Sequence, residues 1–179
     1  GNNVYENVEI DYRMSSLKAK DILAILNGEK SETLPTVIES TENDNLFVFW
    51  SGHGVPGAMC WDEEPYAMTG DDLSTVFKDM NLKRRYRKLL MMVEACFSGG
   101  VMEQCEGIPG MLFITAANGD ETSKADVFNG EMKVWMSNRF TSTFIEQITD
   151  NKDVAMRDLY YRLFINTVGS HVMVYNAEN

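Results

Sequence analysis

Lys88-Leu89-Leu90-Met91-Met92-Val93-Glu94-Ala95-Cys96-Phe97-Ser98-Gly99-Gly100 is an unbroken apolar run that ends on a carboxylate, a thiol and a glycine turn. Such a run suits a strand buried on both faces of a parallel sheet. Two more runs share the pattern. Asn45-Leu46-Phe47-Val48-Phe49-Trp50-Ser51 leads into Gly52-His53-Gly54, and Met111-Leu112-Phe113-Ile114-Thr115 leads into the polar loop 118–123. In an open α/β sheet, ligands bind just outside the carboxyl ends of the strands. Cys96 and His53 therefore come to one rim, where a thiol and an imidazole can act as nucleophile and base.

Between these runs the periodicity turns helical. Ser15 or Ser16 is expected to cap a helix with Leu17, Ile22, Ile25 and Leu26 on its apolar side, closed by Gly28. Residues 29–44 read as a polar surface loop. Residues 53–66 read as a shaped, glycine-rich loop with a short strand near Ala58–Trp61, continued by Asp62 and Glu63. Thr69 or Asp71 caps a helix carrying Leu73, Val76, Phe77 and Met80. A short helical piece covers 101–105. A long helix is expected over 131–149, with Met136, Phe140, Phe144 and Ile148 in line. Another begins at Asn151 or Asp153 and buries Met156, Leu159, Tyr160, Leu163 and Phe164. Residues 170–175 read as a last strand. Strands alternating with helices give an α/β class, a mostly parallel sheet flanked by helices, in one domain over 1–179.

Composition narrows the function. The chain has 179 residues and a formal net charge of -11, which argues against nucleic acid as the main partner. The one basic cluster, Lys83, Arg84, Arg85, Arg87 and Lys88, reads as a solvated connection. No apolar run approaches the roughly 20 residues of a membrane span. The acidic balance favours an extracytoplasmic setting only weakly. Cys60, Cys96 and Cys105 are too few for a disulfide framework, although a Cys60–Cys105 bridge stays open. No zinc-ligand spacing is present, so no metal or other cofactor is expected.

Each chemical residue has a bland alternative. His53 would serve equally as a turn histidine, and Cys96 as a buried small hydrophobe. Together, on two strand ends embedded in glycine, they read as a site. The amides of Gly54 and Cys96 are placed to hold a developing oxyanion. Glu94 closes an apolar strand, and a buried carboxylate needs a partner. It is either a pocket wall for a polar substrate group or a hydrogen-bonded structural residue. His171 reads as structural.

These motifs resemble the legumain-like cysteine peptidases (peptidase C13), relatives of the caspases and of the catalytic subunit of the GPI-anchor transamidase. The resemblance runs almost end to end. It includes Val4-Tyr5, Asp11-Tyr12, residues 23–28, Ser51-Gly52-His53-Gly54, Arg85-Tyr86-Arg87-Lys88, Glu94-Ala95-Cys96-Phe97-Ser98-Gly99, Thr115-Ala116-Ala117-Asn118, Glu121-Thr122-Ser123 and residues 170–175. It implies a caspase-like three-layer sandwich and a cysteine endopeptidase acting on a peptide or protein after Asn, sometimes Asp. Cys96 would be the nucleophile and His53 the acid and base. Glu94, Thr122 and Ser123 would border the P1 pocket.

The chain departs from the family at three places. Val134 precedes Trp135 where the family has Asp. The family's earlier strand, with an Asn that supports the histidine and a pocket Arg, has no match here, and a separate N-terminal chain of the same precursor would supply it. The chain ends on Asn179, as self-cleavage or an arbitrary boundary would leave it. Two alternatives to hydrolysis stay open: a transpeptidase or transamidase using the same acyl-enzyme, and a non-catalytic binding module.

Overall fold

The computed structural model describes residues 6–61 and 64–178. Val4-Tyr5, Asp62-Glu63 and Asn179 lie outside the described residues.

The three apolar runs form the sheet. β1 (Asn45–Ser51) pairs in parallel with β5 (Lys88–Glu94), which pairs in parallel with β6 (Met111–Thr115). β9 (Met173–Tyr175) joins β6 antiparallel, giving the order β1-β5-β6-β9. Pleating sends neighbouring side chains to opposite faces. Leu89, Met91 and Val93 join Phe113 in one core layer, while Met92 joins Ile114 in the other. This is why the run over 88–94 could not show alternation: both faces are covered.

The first layer is closed by α1 (Ala19–Asn27), α2 (Gly70–Leu82) and α3 (Ser98–Met102). Leu73, Phe77 and Met80 of α2 are fully buried, and Phe77 meets Phe113 at a ring distance of 5.6 Å. Each such side chain contributes about 1.5–3 kcal/mol through burial. Thr69 caps α2 as expected: its hydroxyl accepts from the Asp72 amide, and the Asp72 carboxylate accepts from the Thr69 amide. At α1 the expected serine cap is replaced. Ser16 sits in a 3-10 turn over Met14–Ser16, and the Lys18 amide donates instead to Asp21 Oδ2 at 2.8 Å. Gly28 ends α1 in the left-handed conformation, as its position predicted.

The second layer is closed by α4 (Arg139–Asp150) and α5 (Met156–Asn166). The helix expected over 131–149 begins only at Arg139. Residues 131–138 are not helical. They belong to a hairpin of β7 (Ala125–Asn129) and β8 (Val134–Asn138). Asn129 Oδ1 accepts from the amides of Glu131 and Met132, which closes a turn, and Phe128 packs on Trp135 across the strands at 5.2 Å. α5 starts later than expected, after Ala155, because Asn151 Oδ1 accepts from the Asp153 amide in the preceding turn. Only Leu159 and Leu163 of its stripe are buried; Met156 and Phe164 are exposed.

The loop expected over 53–66 carries a small antiparallel sheet instead. β2 (Gly54–Val55), β3 (Ala58–Trp61) and β4 (Glu64–Thr69) form it, with β3 where the sequence suggested. The basic cluster has structural work. Arg84 reaches Glu42, Arg87 donates to Asn45 Oδ1, and an Arg85 guanidinium nitrogen donates to the Ile38 carbonyl. Among the described residues no helix is long and apolar enough to cross a membrane, and nothing pairs with the outer edge of β1.

Candidate active site

β1 and β5 end level with each other. Ser51 is the register partner of Glu94, and the Gly52 amide extends the ladder by donating to the Glu94 carbonyl at 3.1 Å. The chain then places His53 and Gly54 beside Ala95 and Cys96. The approach at Gly54 is extreme: a Cβ there would lie 2.1 Å from the Cys96 carbonyl oxygen and 3.2 Å from Ala95 Cβ. Glycine is the residue that permits this contact.

The Gly54 amide is also oriented. The Cys60 amide donates to the His53 carbonyl at 3.0 Å, and Gly54 is the partner of Met59. Hydrogen-bonded and non-hydrogen-bonded pairs alternate along antiparallel strands. Gly54–Met59 is therefore a non-hydrogen-bonded pair, and the Gly54 N–H turns away from β3.

Beyond Cys96 the backbone bends sharply. Phe97 takes a left-handed conformation, φ 56° and ψ 17°, at the start of α3. That geometry costs a non-glycine residue on the order of 1–3 kcal/mol. It is held from both sides: the Phe97 amide donates to the Glu121 carbonyl at 2.8 Å, and the Gly99 amide to the Ala117 carbonyl at 3.0 Å. Glu121 in turn is anchored. Its carboxylate accepts from the amides of Asn118 and His171, and Oε2 lies 2.9 Å from His171 Nδ1. These bonds hold the Glu121 carboxyl below the usual range, against the opposing effect of burial. His171 is thus a structural latch for the loop that carries Thr122 and Ser123.

Glu94 is 1% exposed. Burial raises its pKa, while the Thr141 amide and hydroxyl, both 2.9 Å from Oε2, favour the charged form. Thr141 lies in the first turn of α4, where backbone amides lack helical partners. Oε1 has no hydrogen-bond partner. The Ser123 hydroxyl stands near enough to favour the ionised carboxylate, without closing a well-formed bond to that oxygen. The same hydroxyl is 3.9 Å from Cys96 Sγ. Glu94, Ser123 and Cys96 thus form one cluster. Thr122 is exposed and accepts from Lys124 Nζ instead.

His53 is exposed and lines a cavity of about 360 Å³ with Trp50, Gly52, Cys60 and Trp61. Among the described residues no hydrogen bond joins its ring to Cys96; such contacts are often long before substrate binds. Cys60, Cys96 and Cys105 are all thiols, so the Cys60–Cys105 bridge is not formed. Cys105 is buried against α2, whereas Cys60 is close enough to Cys96 for their charges to interact. The larger cavity, about 430 Å³ between α5 and β9, holds none of these groups. Thr141 and Cys60 had no signal in the sequence as site residues, because only the packing of α4 and β3 brings them here. Val134 and Trp135 are both exposed, on a strand and not a helix.

The Peptidase C13 family model matches residues 1–179. The chain is similar to legumain of Rattus norvegicus, with 28% identity over 186 residues, covering 100% of this chain and 42% of the relative. It is similar to the GPI-anchor transamidase of Saccharomyces cerevisiae, with 25% identity over 174 residues, covering 94% of this chain and 42% of the relative. It is also similar to the vacuolar-processing enzyme of Ricinus communis, with 33% identity over 127 residues, covering 69% and 25% respectively. The chain spans less than half the length of these relatives.

Proposed function

The chain belongs to the peptidase C13 family, and from that premise we propose that it is a cysteine endopeptidase cleaving after asparagine. The observation that carries the reading is the contact of Gly54 on the Cys96 carbonyl, which brings two strand ends into one site. Cys96 thiolate attacks the scissile carbonyl carbon. The amides of Gly54 and Cys96 receive the oxyanion. His53 gives a proton to the leaving amine as the C–N bond breaks, leaving a thioester. It then takes a proton from water, whose oxygen attacks the thioester carbonyl and releases Cys96.

Specificity comes from Glu94. A side-chain amide of asparagine donates an N–H to the unpartnered Oε1, with Ser123 and Thr122 at the pocket border. An ionised aspartate in the same place would meet like charge, so aspartate is the poorer residue whenever both carboxylates are ionised. Val134 removes the carboxylate that the family resemblance leads one to expect near this pocket.

Replacing Cys96 with Ala abolishes hydrolysis of an asparaginyl peptide; full activity in that variant would overturn the assignment. The likeness to a GPI-anchor transamidase favours one second reading, in which an amine takes water's place in the last step. Hydroxylamine added during turnover separates the two, since product mass distinguishes the hydroxamate from the free acid. The outer edge of β1, with Phe47 55% exposed, is where a strand from an N-terminal chain of the same precursor would add. The vacuolar name of one relative supports a setting outside the cytosol.

A further inference from the structure

Ser123 stands between the two groups that a P1 residue must engage. Its oxygen is 3.9 Å from Cys96 Sγ, with either atom able to donate. On its other side it favours the ionised form of Glu94. Glu94 Oε2 already accepts twice from Thr141, while Oε1, buried, accepts from nothing. A serine hydroxyl has one proton. It serves one acceptor at a time, and a buried carboxylate oxygen lacking a donor claims it more strongly than a neutral thiol.

We propose that Ser123 is a positioning residue that couples filling of the P1 pocket to activation of Cys96. The idea rests on the pocket reading above. In the empty enzyme the hydroxyl is drawn toward Glu94 Oε1. A primary amide entering the pocket donates its own N–H to that oxygen. The hydroxyl then rotates and donates to the Cys96 sulfur, which favours the thiolate. No bond between heavy atoms changes; one hydrogen bond is exchanged for another, and as the S–H bond ionises its proton goes to His53 or to water. Among the described residues, Cys60 from β3 is close enough to Cys96 for their charges to interact, and His53 follows β1 at the same rim of the sheet. On Ser123's own loop, Glu121 is engaged by His171 and Lys124 by Thr122. The nucleophile is therefore held back until a side chain of the right chemistry arrives.

The probe is propanamide, an uncharged mimic of the asparagine side chain with no scissile bond. The measurement is alkylation of Cys96 by N-ethylmaleimide as a function of pH, read by peptide mass mapping so that Cys60 does not contribute. Protection by a bound ligand changes the plateau, so the pH midpoint is the readout. In the native sequence, propanamide moves the midpoint down by about half to one pH unit, equal to roughly three- to tenfold faster relative alkylation on the acid side. Ser123→Ala and Ser123→Gly abolish the movement, and Ser123→Thr, which keeps a hydroxyl, retains it. An unmoved midpoint in the native sequence, or an equal movement in the variants lacking the hydroxyl, overturns the coupling. Competition of propanamide with an asparaginyl peptide is checked in parallel. Competition without a midpoint shift sinks the coupling alone, whereas no competition sinks the pocket reading and the coupling with it.

Discussion

A methyl group on Gly54 has nowhere to go. It would overlap the Cys96 carbonyl, which belongs to the backbone and cannot swing aside. Gly54→Ala must therefore separate the ends of β1 and β5, moving the Gly54 amide away from the oxyanion position proposed for it. Loss of one oxyanion donor costs about 100- to 1000-fold in kcat. We expect a fall of that size, with a melting temperature lowered by only a few degrees because the displaced segment lies at the sheet's rim. A variant that melts normally and keeps its kcat would show that this amide takes no part. The conformation at Phe97 argues in the same direction: a non-glycine residue in left-handed geometry beside Cys96, held by Glu121, aims the chain where an ordinary turn would not.

At the scale of elements, α4 supplies chemistry as well as packing. Its first turn presents Thr141 to Glu94, so the helix start fixes the buried carboxylate. Thr141→Val removes the hydroxyl bond and leaves the amide. Hydrogen bonds to charged groups contribute about 1.5–3 kcal/mol, and a loss in that range is expected in urea unfolding. Removing a donor also raises the Glu94 pKa further. Between the ordinary carboxyl value of 4.5 and the raised one, the folded chain holds a proton the unfolded chain has lost, so stability falls as pH rises through that window. The Thr141→Val penalty is thus larger at neutral pH than at pH 4; an equal penalty at both would mean that Glu94 is protonated throughout.

The three apolar runs were legible in the sequence because length and glycine boundaries identify a buried strand without periodicity. The placement of Cys96 and His53 just past neighbouring strand ends was legible because the glycine boundaries mark where each strand stops. The hairpin before α4 was not. Met136 and Phe140 keep helical spacing with Phe144, but the Asn129 side chain and the Phe128–Trp135 pair stabilise a turn that spacing cannot register. Thr141 was hidden for a related reason: nothing in a helix sequence says which buried carboxylate its first turn will meet.

Over the whole molecule, Glu121 ties three distant parts together: the turn after Cys96, the loop bearing Ser123, and the segment before β9. Its folded pKa lies below the ordinary 4.5. The stabilisation from its charged form is present above that value and is lost as pH falls through the folded pKa. The native protein should lose stability steeply on that acid limb, and Glu121→Gln should flatten it, as followed by urea midpoints from pH 5 to pH 3. An unchanged limb would assign acid unfolding to other carboxylates. The net charge of -11 adds self-repulsion at neutral pH that acid relieves, so the two effects oppose each other and the variant isolates one.

Of the three thiols, Cys105 is buried while Cys60 and Cys96 are half-buried. Burial pushes Cys105 up to about 12, so it stays protonated in any physiological buffer. Cys60 is raised by burial and by its neighbour Cys96. A brief exposure to a maleimide should therefore write the order of reactivity into one mass spectrum, with Cys105 as a built-in blank. Label on Cys105 reports unfolding, and on the proposed function label on Cys96 alone reports a competent site. A preparation can thus be graded for its folded fraction from the label alone.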